Sequence, residues 1–266
     1  MRLAIDGADF DILDEGVGTP LVLLHGFPLA RETWDAQSRA LTHTARVVRF
    51  DLRGLGTTTP TPGPYLMEQL AGDIAAILDG LGIERAVLAG HSLGGYVAFA
   101  FYRMFAERCL GLGFVCSRAT ADDPTAATAR YALADAVERQ GMQPVVDAFV
   151  PRYFAPAFYQ SAPEAVARIR SIVERTVPAG AAAMLRGMAM RGSSEDLLDE
   201  IDVPVRVVAG MKDSFSTPEA MRSIARRVKG AELDLFDCAH VPMVEVPEAL
   251  SASLERLVTS VESGVS

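Results

Sequence analysis

Short, nearly continuous apolar runs, alternating with helical segments, limit this chain to few architectures. Leu21-Val22-Leu23-Leu24 ends at His25-Gly26, Val47-Val48-Arg49-Phe50 at Asp51, Ala86-Val87-Leu88-Ala89 at Gly90 and Leu112-Gly113-Phe114-Val115 at Cys116. Val205-Arg206-Val207-Val208-Ala209 and Ala231 to Phe236 repeat the pattern nearer the C-terminus. Runs apolar on both faces belong to a parallel sheet covered by helices on each side. Met67 to Leu81 sets Leu70, Ile74, Ile77, Leu78 and Leu81 on one helical face, Leu93 to Phe105 is apolar almost all round, and Pro218 to Val228 mixes apolar with basic residues. Strand and helix therefore alternate, joined by right-handed crossovers.

Leu3-Ala4-Ile5 and Phe10-Asp11-Ile12-Leu13 lie too close for an intervening helix and predict an antiparallel hairpin at the sheet edge, bringing the expected strands to eight. From Ala119 to Leu198 the alternation stops. That stretch is helical in pattern and is punctuated by Pro124, Pro144, Pro151, Pro156, Pro163 and Pro178. It predicts a helical cap, 119–198, inserted into a single α/β core formed by 1–118 and 199–266.

Composition narrows the function classes. Half of the 266 residues are hydrophobic and 22% are charged, which suits a folded globular chain. The net charge of −9 carries no basic stripe, so nucleic acid and anionic membrane are poor partners. No apolar run is long enough to span a bilayer, and no apolar leader segment precedes Asp6. Cys109, Cys116 and Cys238 are odd in number and lack a C-x-x-C spacing, which predicts reduced, buried thiols in a cytoplasmic protein and no zinc site.

Chemistry enters at Gly90-His91-Ser92-Leu93-Gly94, a G-x-S-x-G sequence between an apolar strand and a helix. A sharp strand-to-helix turn projects the serine hydroxyl, and glycines on either side leave room for close backbone approach. Unpaired N–H groups at the helix start can hold an oxyanion. A nucleophilic serine needs a base, and the chain offers four histidines. His43 lies in a polar segment, His25 begins a turn where a backbone role is expected, and His91 adjoins the serine on a tight turn that points neighbouring side chains apart. His240 remains, just past the last strand, at the carboxyl end where α/β sheets place catalysis. The acid that orients it is expected at Asp213, after the penultimate strand. Asp122, Asp123, Asp237 and Glu245 compete, and Asp213 is favoured by strand adjacency and by the chain order Ser, Asp, His. Oxyanion donors are expected at the N–H groups of Leu93 and of Phe27, in His25-Gly26-Phe27-Pro28, where Gly26 permits the backbone path and Pro28 has no N–H.

These segments, with Asp51-Leu52-Arg53-Gly54-Leu55-Gly56 and the closing Val244-Glu245-Val246-Pro247-Glu248, follow the order of the α/β-hydrolase superfamily along nearly the whole chain. The chain resembles its small capped members: carboxylesterases, 3-oxoadipate enol-lactonases and cofactor-free haloperoxidases. The resemblance implies that the Asp51–Gly56 segment is structural, and Thr57 stands where many members have serine. It also implies acyl chemistry, because dehalogenases and epoxide hydrolases of this fold carry aspartate at the elbow.

The expected activity is hydrolysis of a small-molecule carboxylic ester or lactone through an acyl-enzyme, with Ser92, His240 and Asp213 as triad and with no metal or organic cofactor. C–C bond hydrolysis, perhydrolysis or haloperoxidation, and a slow-turnover ligand-binding role are the alternatives. The chain is expected to be a monomer or homodimer. Tyr131, Phe149, Tyr153, Phe154, Phe158 and Tyr159, with Met184, Met188 and Met190, either line an apolar pocket or pack the cap itself. Arg118, Arg130 and Arg152 can each supply one charge, but the sequence shows no arginine cluster that demands an anionic substrate.

Overall fold

The computed structural model describes residues 1–264. A seven-stranded sheet forms its centre. In chain order the strands are β1 (Arg2–Ile5), β2 (Ala8–Asp11), β3 (Leu13–Glu15), β4 (Thr19–Leu24), β5 (Ala45–Arg49), β6 (Ala86–His91), β7 (Cys109–Val115), β8 (Val205–Gly210) and β9 (Glu232–Phe236). The sheet runs β3-β5-β4-β6-β7-β8-β9, and only β3 is antiparallel to its neighbour. The mostly parallel sheet predicted from the apolar runs is therefore present, with seven strands where eight were expected. The hairpin β1-β2 forms its own two-stranded ribbon. The buried Arg53 guanidinium draws the turn aside by donating to the carbonyls of Ile5 and Asp6, and the short polar β3 takes the sheet edge instead.

The helices between the sheet strands are α1 (Asp35–Leu41), α2 (Met67–Gly80), α3 (Leu93–Phe105) and, after β8, α9 (Pro218–Arg227). The chain closes with the single turn α10 (Pro242–Glu245) and with α11 (Pro247–Gly264). α2 and α3 pack together, with α3 over β6 and β7. α11 packs with α1 and crosses β4, β7 and β8. β4, β6 and β8 are consequently buried on both faces, which explains their lack of polar alternation.

Between β7 and β8 lie five α-helices: α4 (Pro124–Gln140), α5 (Gln143–Tyr153), α6 (Pro156–Ser161), α7 (Pro163–Glu174) and α8 (Pro178–Ala189). Each has proline at its first or second position, where the missing N–H costs nothing and the fixed φ suits a helix start. Pro151, inside the last turn of α5, is the exception.

One ion pair locks this frame. Arg53 and Asp73 are both buried and bonded twice, Nε to Oδ2 at 2.8 Å and NH2 to Oδ1 at 2.5 Å. Removing the guanidinium strands a carboxylate in the interior. Arg53→Ala is expected to lower unfolding free energy by about 3–5 kcal/mol, read as a shifted urea midpoint. A shift no larger than that of an exposed substitution would show that water reaches Asp73.

Candidate active site

The strand order positions the site. From β4 the chain moves outward to β5, then returns across β4 to β6, so the loops leaving the neighbouring strands β4 and β6 diverge in opposite directions. A crevice opens at such a switch point, beyond the carboxyl ends of the strands. Phe27 follows β4 and Ser92 follows β6, so both residues face that crevice.

Ser92 sits between β6 and α3 with φ +51° and ψ −110°, a left-handed conformation disfavoured for any residue with a side chain. Neighbouring strands hold it there. Its N–H donates to Val115 O at 2.9 Å, and its carbonyl accepts from Gly95 N at 2.9 Å and from Ser117 Oγ at 2.8 Å. The motif glycines are demanded by close approach. A Cβ on Gly90 would lie 2.2 Å from Gly94 O, and one on Gly94 would lie 2.4 Å from Leu24 O. From Ala86 to Tyr102 every residue but Ser92 is buried, so the turn exposes this one side chain. Gly26 is equally constrained, because a Cβ there would meet the His91 ring at 2.5 Å.

Leu93 is the first residue of α3, and its N–H lies beyond the reach of intrahelical bonding. Among the described residues neither the Leu93 nor the Phe27 N–H donates to a protein acceptor. Both expected oxyanion donors are thus free beside Ser92.

His240 is buried in the loop after β9, with its backbone N–H donating to Tyr153 O at 3.0 Å. Its Nδ1 lies 2.8 Å from Asp213 Oδ2. Asp213 follows β8, which pairs with β9 up to Gly210 and Phe236, so strand adjacency brings the two loops together. The other carboxylate oxygen, Oδ1, accepts the N–H groups of Phe215 at 2.7 Å and Ser216 at 3.1 Å. Burial pushes the Asp213 carboxyl up, but the charge and hydrogen bond of His240 and those two N–H groups outweigh it and hold it below the usual carboxylate range.

The competing acids are engaged elsewhere. Asp123 caps α4 by accepting from Ala126 N at 2.8 Å, and Asp237 pairs with Lys212 at the surface. Asp122 is enclosed by arginines. Glu245 does not begin the closing helix as its position suggests. It ends α10, and its carboxylate accepts the N–H groups of Ala239 at 2.7 Å and Ala155 at 2.9 Å, tying the His240 loop to the cap.

The other three histidines have different partners. His43 is exposed beside Glu255. His25 accepts from Leu52 N through Nε2 at 2.9 Å, so its Nδ1 carries the proton and bonds Gly26 O. His91 Nε2 lies 2.8 Å from His240 O, which requires the proton on Nε2 and leaves the buried Nδ1 unpartnered. Sequence reasoning missed this tether, because nothing in the motif signals where the ring turns. Burial first, and the neighbouring His240 second, lower the His91 pKa to about 3. An unfolded histidine titrates near 6.5, so as pH falls below that value the unfolded state takes up protons that the folded state refuses. Stability is therefore expected to fall from pH 6.5 toward 3, by about 2 kcal/mol at pH 5 from this residue. His91→Gln, which keeps a donor, should flatten that slope in urea titrations at pH 7 and 5. An unchanged slope would assign the acid sensitivity elsewhere.

A cavity of about 270 Å3 lies over Ser92 and His240, walled by Phe27, Tyr96, Phe149 and Phe215. Of the cap's rings only Phe149 reaches it, and Met188 joins it from α8. Tyr153 stacks on the His240 ring at 6.1 Å and donates to Phe27 O at 2.9 Å, so it braces both sides of the site. Phe154 stacks on Phe158, Tyr159 bonds Val150 O, and Tyr131 and Met190 are exposed. Phe215 and Tyr96 carried no sequence signal beyond their nearness to Asp213 and Ser92. The thiol of Cys116 lies within 4.8 Å of the Asp213 and His240 side-chain atoms. That trio is a poor metal set, since Asp213 is saturated and burial pushes the Cys116 thiol well above its usual pKa. All three cysteines are free and buried.

A serine held in a left-handed elbow, a histidine–carboxylate pair and free N–H donors, at the switch point of a mostly parallel sheet, define the class of α/β hydrolases. The model of the alpha/beta hydrolase fold family matches residues 19–247, and the chain belongs to that family. A thermophilic esterase from Thermogutta terrifontis, solved with malate bound, is 35% identical over 98% of this chain and 99% of its own, with a TM-score of 0.95. The enol-lactonase from Burkholderia xenovorans is 27% identical over 97% of this chain and 100% of its own, with a TM-score of 0.92. The 3-oxoadipate enol-lactonase 2 of Acinetobacter baylyi is 28% identical over 225 residues, which are 85% of this chain and 83% of that protein. These three relatives are named as an esterase and two enol-lactonases, and among the described residues no helix is long and apolar enough to cross a membrane.

Proposed function

We propose that the protein is a serine hydrolase cleaving a small carboxylic ester or lactone. The observation that carries this reading is the His240–Asp213 hydrogen bond facing, in one cavity, a serine held at positive φ. His240 Nε2 takes the proton of Ser92 Oγ as the oxygen attacks the acyl carbon, and Asp213 stabilises the imidazolium. The N–H groups of Phe27 and Leu93 hold the oxyanion. Collapse breaks the acyl C–O bond, and His240 returns the proton to the leaving alkoxide. Water then attacks the acyl-Ser92 ester, giving the acid and free serine by the same relay. Residues 119–198 act as a lid that walls the cavity, and the three free thiols suit a reducing cytoplasm. The esterase and enol-lactonase likenesses favour this reading over C–C cleavage or perhydrolysis, which would employ the same residues.

A fluorophosphonate probe should add one adduct to the wild type at Ser92 and none to Ser92→Ala. A panel of p-nitrophenyl esters and small lactones should show turnover by the wild type alone. An unlabelled, folded wild type with no turnover on the panel would overturn the reading.

A further inference from the structure

The cavity over Ser92 carries an unbalanced positive charge. Arg118, Arg130 and Arg152 all line it, and no Asp or Glu does. Arg118 and Arg130 converge from opposite sides of the cap junction on the buried carboxylate of Asp122, one on each oxygen. Arg191, also buried, approaches the same carboxylate at 3.6 Å and lies over the Tyr96 ring at 3.9 Å. Three guanidiniums thus share one carboxylate. Arg118 Nε and the Nε and NH2 of Arg191 are buried without a hydrogen-bond partner among the described residues. A clamp meant only to satisfy Asp122 would need two arginines. A third, with donors left unpaired away from water, is costly unless an anion completes the set.

The cluster also has a side. Ser117, next to Arg118, bonds the Ser92 carbonyl, and Tyr96 lies one helical turn beyond Ser92, so the arginines adjoin the nucleophile. Phe215, whose ring is 4.8 Å from that of His240, lies beside the base, with the Arg152 guanidinium 3.7 Å over it. His240 must face the leaving group in order to protonate it. The group near Arg118 and Arg130 therefore belongs to the acyl portion, which stays on Ser92 after the alcohol departs.

We propose that the substrate is an ester or lactone whose acyl portion bears a free carboxylate, held by Arg118 and Arg130 with Arg191 behind them. This rests on the serine-hydrolase reading and names its substrate class. Hydrolysis of the acyl C–O bond then yields a dicarboxylic acid and an alcohol, or a hydroxylated dicarboxylate from a lactone. In a chain of net charge −9 the excess charge is local, so the cavity gathers anions that the rest of the surface repels.

The test is a matched pair, mono-p-nitrophenyl glutarate and its methyl ester, which differ only in the distal charge. The wild type should favour the acid by about tenfold or more in kcat/KM, the range of a charge-assisted hydrogen bond. That ratio should shrink with added NaCl and collapse toward one in Arg118→Gln and Arg130→Gln, while Arg130→Lys keeps part of it. Each single variant leaves Asp122 another arginine, so folding is preserved. A wild-type ratio of one or less, with both esters cleaved, overturns the carboxylate subsite and leaves the hydrolase reading standing. If neither ester is cleaved and Ser92 resists labelling, the hydrolase reading fails. Calorimetric titration of glutarate into wild type and into each single variant then decides the subsite alone. Equal or absent heats would reject it.

Discussion

Replacing Ser92 by alanine is expected to lower kcat for a p-nitrophenyl ester by on the order of a millionfold, because the other serine lining the cavity, Ser214, lies outside the elbow and bonds Arg152. Stability should barely move. The side chain is half-exposed, and the turn is held through its backbone bonds to Val115, Gly95 and Ser117, which alanine retains. Alanine also inherits the positive φ. Ser92→Gly removes that strain and should be more stable than the alanine variant by about 1 kcal/mol, while equally inactive. A glycine variant no more stable than alanine would mean the elbow is not strained. Retention of wild-type turnover by both would displace Ser92 as nucleophile.

Asp213→Asn should lower kcat by about ten-thousandfold without unfolding the protein, for a reason specific to this loop. Asp213 Oδ1 accepts two backbone N–H groups, so the asparagine carbonyl must remain there and its amide NH2 must face His240 Nδ1. A donor at that place forces the His240 proton onto Nε2, where it meets the serine and cannot accept its hydrogen. Loss of turnover with retained fluorophosphonate labelling at high pH would fit this tautomer trap. Glu245 provides the control. It accepts the backbone N–H groups of Ala239 and Ala155 and bonds neither His240 nor Ser92, so Glu245→Gln should reduce kcat far less. The reverse ranking would move the acid of the triad from Asp213 to Glu245.

The parts of the molecule legible in the sequence are those fixed by local pattern. β4, β6 and β8 lie buried between two helix layers, so their apolar runs could not be mistaken for surface strands. The elbow was legible because its glycines answer to backbone contacts that leave no room for a Cβ. β3 was not, since Leu13-Asp14-Glu15 pairs along one edge only and carries no apolar run. The cap prolines read as punctuation, and all of those named but Pro151 prove to be helix starts. Thr57, where the family often has serine, still bonds Asp51 through its hydroxyl at 2.8 Å, so the change preserves the loop tie. The arginine cluster was invisible. Its members lie at positions 118, 130 and 191, and only tertiary folding around Asp122 makes them one group. The expectation of scattered, single charges in the cap is corrected on that ground.

The bonds joining cap and catalytic loops bear on timing. Tyr153 of α5 accepts the His240 N–H and donates its hydroxyl to Phe27 O, and Glu245 spans from Ala239 to Ala155. A cover fastened in this way cannot swing clear as a rigid flap, because raising α5 would drag His240 and Phe27 out of register. Entry and exit then depend on breathing of side chains at the rim. An enzyme of this build would be slow to admit bulky molecules at any concentration, and its catalytic geometry would never be switched off between turnovers.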